Sequence, residues 1–122
     1  MTKTHIILMW ACAGLMLLSA CGQQHQAETM ADDYLEQNAR QIDKMQHRKF
    51  LDLDSTKLIT DSAVAALRAY NHPRMKQTGD PDAPATSGRM LYVLPMRYYY
   101  DGEQERVTFY LDEQMQHIVA VR

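Results

Sequence analysis

Cysteine is nearly absent from this chain. Its 122 residues include two, Cys12 and Cys21, which excludes a multi-bridge disulfide framework or a cysteine-rich metal site. The five glycines stand singly along the chain, so no glycine-rich phosphate loop can form. Positive charge is not in surplus either: 13 Lys and Arg face 15 Asp and Glu, a net of −2, which argues against a nucleic-acid partner. The longest apolar run, Ile6 to Leu18, is thirteen residues, too short to cross a hydrocarbon core of about 30 Å at about 1.5 Å per residue. No internal repeat is visible.

That short run is informative for what surrounds it. Lys3 lies before it and the small residues Ser19 and Ala20 lie after it, the three-part arrangement of a secretory leader. The segment Leu18-Ser19-Ala20-Cys21 resembles the lipobox of bacterial lipoproteins. The resemblance implies cleavage between Ala20 and Cys21, a diacylglyceryl group on the Cys21 sulfur and a further acyl chain on the freed amine. One myristoyl chain binds a bilayer marginally at about 0.8 kcal/mol per buried methylene, so three chains hold firmly. Gly22, where an Asp would retain the protein at the inner membrane, implies an outer-membrane address with the domain facing the periplasm.

Removing residues 1–20 from a chain of 122 leaves 102 residues and a net charge of −3, enough for one small domain. The organisation expected is a signal peptide at 1–20, a lipidated flexible tether at 21–28 and a single domain at 29–122. The tether reading rests on the Gln23-Gln24-His25-Gln26 run, which is polar and aperiodic. A first helix is expected to start near Thr29 and end near Arg48 and Lys49, with Leu35, Ala39, Ile42 and Met45 as its apolar stripe. A second carries Ile59, Ala63, Ala66, Leu67 and Tyr70 on one face, capped by either Asp54 or Thr60 and stopped at Asn71-His72-Pro73. Between them, Phe50 to Leu53 is either a bent connection or a short strand. Residues Lys76 to Gly88 read as an extended loop, either mobile or engaged in binding.

The last third alternates with period two. Tyr92 to Tyr100 and Val107 to Leu111 flank Asp101-Gly102, a strong hairpin signal, and Met115 to Val121 forms a third strand. Pro95 cannot donate to a ladder, which predicts an edge or a bulge there. The fold class expected is α+β: two helices packed on one face of a three-stranded antiparallel meander.

Chemistry is sparse. His25, His47, His72 and His117 remain after cleavage, and none stands three or four residues from another, the spacing of a helical metal pair. Asp52 and Asp54 would share a face if extended, but a solvated connection explains them more simply. Ser55 and Ser62 lie where caps are expected. No catalytic residue, metal or cofactor is expected. The remaining constellation is tyrosine: Tyr98, Tyr99, Tyr100 and Tyr110 lie on the expected hairpin. They either cover the core as cross-strand pairs or offer a partner contact surface.

A second resemblance covers about half of the domain. The order Thr60 to Leu67, Pro73, Asp80, Leu91-Tyr92-Val93 and Val107 to Asp112 is similar to that of the SmpA/OmlA/BamE family of small outer-membrane lipoproteins, although Ile59 and Tyr70-Asn71 replace its usual Gly and Leu-Gly. It implies two helices on three antiparallel strands and an accessory role in β-barrel assembly. The function expected is therefore a non-catalytic, membrane-anchored envelope lipoprotein that binds another envelope protein. The alternative is a small ligand-binding or hydrolase-inhibitor module of the periplasm.

Overall fold

A computed structural model describes residues 22–83 and 89–122. The expected signal peptide, Cys21 as the expected acylation site and the end of the expected loop lie outside the described residues. The elements are a helix at 22–38 (α1), a 3₁₀ turn at Ile42–Lys44, strands β1 (Gln46–Phe50) and β2 (Asp54–Ser55), helix α2 (Asp61–Ala69), and strands β3 (Tyr92–Tyr100), β4 (Glu103–Leu111) and β5 (Ile118–Val121). The class is α+β with an antiparallel sheet, as expected. No helix among the described residues is long and apolar enough to cross a membrane.

Residues 22–28, expected as a tether, are helical, and Ala27 is fully buried. Ala27, Ala31, Tyr34 and Leu35 recur at helical spacing and all face the core, a stripe that its small side chains disguised. The glutamines are structural too. Gln24 donates from Nε2 to the Leu51 carbonyl (3.1 Å) and accepts the Leu53 N–H (2.7 Å), while Gln26 donates to the Met115 carbonyl (3.4 Å).

The helix also ends earlier than its expected stripe. After residue 38 the chain pairs with 74–76, through Arg40 N–H to Arg74 O (2.9 Å) and Lys76 N–H to Asn38 O (2.7 Å). Residues 46–50 then form β1 instead of a last helical turn, with Lys49 opposite Arg97 and Phe50 opposite Met96. The sheet thus has more than the three strands expected: its order is β1-β3-β4-β5, with β2 also on β3.

Strand β3 is therefore interior, so of the edge or bulge that Pro95 predicted the edge does not hold, and the β3–β4 register runs through Pro95↔Thr108 without a bulge. The Pro95 carbonyl accepts the Leu51 N–H (2.8 Å), so its nitrogen faces the break between β1 and β2, where no ladder bond is forfeited. The β3–β4 hairpin is in register from Tyr92↔Leu111 to Tyr100↔Glu103. Asp101 and Gly102 close it at φ 51° and 79°, the two positive values of a type I′ turn. The final strand starts at Ile118, because Asp112 builds a turn first: its buried carboxylate accepts the N–H of Gln116 (2.7 Å) and of His117 (3.1 Å).

The helices lie on opposite faces, not on one. Leu94, Met96, Tyr98, Val107, Phe109 and Leu111 pack with α1, whereas Tyr110 packs with Val64 and Leu67 of α2, and consecutive strand residues point to opposite sides. Thr60 caps α2 by accepting the Ala63 N–H (3.2 Å). The face expected to be buried is largely open: Ala63, Ala66 and Tyr70 are exposed and Val64 is buried instead.

The outer edge of β5 is covered by residues 78–80, through Val121 N–H to Thr78 O (3.1 Å) and Asp80 N–H to Ile118 O (2.7 Å). β5 bulges there, Leu111 facing Ile118 but Tyr110 facing Ala120, so Val119 is the extra residue. Gly79, at φ 143°, presses against this bulge; a Cβ would stand 2.3 Å from the Val119 carbonyl oxygen.

Candidate binding surfaces

The four tyrosines do not form one surface. Tyr98, expected as a contact residue, is fully buried, its hydroxyl donating to Glu105 Oε1 (2.9 Å), and offers no surface to a partner. Tyr100, half-buried, lies under the Arg74 guanidinium (3.6 Å to the ring centre) and donates to Gln41 Oε1 (2.7 Å). Tyr110 is half-buried on the opposite face, against α2. Tyr99 alone of the four is open, 43 % exposed, with the His47 ring edge-on to it at 6.2 Å.

Around Tyr98 a polar network closes the end of the core. Arg74 donates from Nε and Nη2 to the two Glu105 oxygens, both at 2.9 Å, a paired geometry that a Lys could not reproduce. The Arg74 hydrogen bonds hold the Glu105 carboxyl below its ordinary range. Burial, with the Glu105 hydrogen bond second, pushes the Tyr98 hydroxyl up. Buried His72 accepts the Arg74 N–H at Nδ1 (3.1 Å), so Nε2 carries the proton and donates to the Arg106 carbonyl (3.2 Å).

A polar groove of about 500 Å³ runs between α1, residues 77–81 and the start of β5, lined among others by Asp33, Tyr34, Asn38, Gln77, Asp80 and His117. The Tyr34 hydroxyl donates to Gln77 O (2.6 Å) and accepts the Gly79 N–H (3.0 Å). His117 Nδ1 and Asp80 Oδ2 pair at 3.0 Å. That bond raises the His117 pKa and lowers that of Asp80. The groove can hold a polar ligand between carboxylates, amides and an imidazole. These partners lie 37 residues apart, and the sequence offered one hint of them, the turn signal Gly79-Asp80-Pro81.

The two histidines respond to pH with opposite sign. His117, raised, stabilises the fold below its unfolded pKa and loses that contribution as pH rises through its folded value above 6.5. His72 is lowered, chiefly by burial, so its neutral-state contribution is complete above 6.5 and falls away as pH drops toward its folded value. Imidazole titration by NMR should place His117 above and His72 below 6.5, and Asp80→Asn should bring His117 back toward that value without moving His72. A single common pKa would contradict both assignments.

Among the described residues no three His, Cys, Asp or Glu side chains converge as a metal site. Asp52 and Asp54 stay at the surface. No family model matches the chain, and no curated protein or solved structure matches it.

Proposed function

We propose that this chain is a non-catalytic envelope lipoprotein, acylated on Cys21 and held at the outer membrane, whose periplasmic domain is an accessory protein-binding subunit of an outer-membrane or envelope-spanning assembly. The anchor rests on Leu18-Ser19-Ala20-Cys21, and the accessory role is what the resemblance to the SmpA/OmlA/BamE lipoproteins implies. The observation that carries protein binding is Tyr99, a large exposed aromatic on a sheet face that α2 covers only in part, since tyrosine is enriched where proteins meet. A photo-crosslinking residue in place of Tyr99 should give one discrete protein adduct in cells, and the same residue at exposed Glu36 on α1 should give none. Equal smears from both positions would count against it.

The groove of Asp80 and His117 favours a second reading, a module that holds a glycan, a peptide or a hydrolase loop. Thermal stabilisation by periplasmic glycans or a lysozyme-like enzyme, lost in His117→Ala, would select it.

A further inference from the structure

The same sheet face carries a line of cations. Lys49 is opposite Arg97 and Arg97 is opposite Arg106, so three positive side chains stand side by side across three adjacent strands, Cα atoms roughly 5 Å apart. All three are exposed. Arg122 extends the group: it exchanges backbone hydrogen bonds with Thr108 (2.7 and 2.9 Å) and lies over Tyr70 at 5.4 Å.

No carboxylate shares the central part of this face. Its residues are Pro95, Arg97 and Tyr99 on β3 and Gln104, Arg106 and Thr108 on β4. The ion pairs among the described residues are Arg74–Glu105 and His117–Asp80, and neither involves the row. Like charges directly opposite each other destabilise a sheet. A chain with 15 Asp and Glu has ample acid to relieve such a row, yet the strand carboxylate on this face, Asp54, stands opposite Val93, four residues along β3 from Arg97.

We propose that Lys49, Arg97 and Arg106 form the docking surface for an acidic segment of a partner protein. The proposal rests on the protein-binding reading above and names the chemistry of that partner. On the same sheet face α2 packs over β5 and Tyr110, and so projects above the level of the strands. A flat bilayer resting on α2 would stand off the cations, whereas a chain segment fills the step. An apolar groove of about 670 Å³ runs along α2, lined among others by Ala63, Ala66, Tyr70 and Tyr110, and Arg122 at its edge connects it with the row. The segment that fits carries carboxylates for the row and large apolar side chains for the groove.

The test uses the full chain in detergent, a fluorescein-labelled peptide of mixed Glu and Leu, the same peptide with Gln for Glu, and phosphatidylglycerol vesicles. Binding of the Glu peptide should fall at least tenfold between 50 and 300 mM salt, by roughly the screening expected of exposed charges. It should fall at least tenfold in Arg97→Gln/Arg106→Gln and hold in Arg40→Gln/Lys57→Gln. The Gln peptide should bind no better than background. Thermal midpoint separates docking from structure: the row variant should melt at the same temperature or a degree or two higher at low salt.

No binding of the Glu peptide, equal losses in both double variants, row-dependent binding to vesicles alone, or a melting point several degrees lower in the row variant would each overturn the proposal. A Tyr99 adduct that persists in the row variant would also overturn it while leaving the protein-binding reading intact.

Discussion

Gly79→Ala should destabilise the domain by at least about 3 kcal/mol, the sum of a strained backbone and an overpacked contact. The residue sits at φ 143°, and its new Cβ would meet the Val119 carbonyl carbon at 2.8 Å and oxygen at 2.3 Å. Those atoms belong to a bulge fixed by pairing on both sides, Tyr110 on one and the 78–80 strap on the other, so nothing cheap can move. For a domain of this size the loss lowers the thermal midpoint by roughly 12 °C or more. Gly102→Ala is the control: its φ is 79° with nothing within 4 Å of the new Cβ, and it should cost about 1 kcal/mol. Chemical denaturation of both variants checks this. Equal losses would mean that the strap does not lie against β5.

Cys21→Ala should move the protein almost wholly from the membrane to the soluble fraction. The proposed anchor is three acyl chains, where even one contributes about 0.8 kcal/mol per buried methylene, and the thirteen apolar residues Ile6 to Leu18 are too few to replace it. The fold should be unaffected, within about 0.5 kcal/mol, because the substitution leaves every described core residue in place. Fractionation with a thermal melt of the released protein measures both. Retention on membranes would refute the anchor.

What could be read from sequence was local. Asp101-Gly102 between alternating runs specified the hairpin, and the α2 cap was narrowed to Asp54 or Thr60, of which the structure uses Thr60, because each depends on residues a few positions apart. Residues 22–28 misled because Ala27 and Ala31 are weakly apolar and three glutamines looked like solvent-exposed filler, although Gln24 spends its amide on Leu51 and Leu53. The stripe Leu35, Ala39, Ile42, Met45 has helical spacing by coincidence; the chain leaves the helix after residue 38 because residues 74–76 offer backbone partners there.

The candidate surfaces were hidden for the same reason. Lys49 and Arg97 are 48 residues apart, Asp80 and His117 are 37 apart, and only sheet register brings either pair together. Tyr98 and Tyr99 are adjacent in sequence and opposite in fate, one sealed under Glu105 and the other on the open face. Alternation foretold that they would separate, and which of them faced the core depended on where α1 packs.

The proposed function depends on acylation of Cys21. The most direct measurement is mass spectrometry of the N-terminal peptide from envelope-purified protein. That peptide should begin at Cys21 and carry a diacylglyceryl thioether and an N-acyl chain. A free thiol at Cys21, or residues 1–20 still attached, would contradict it.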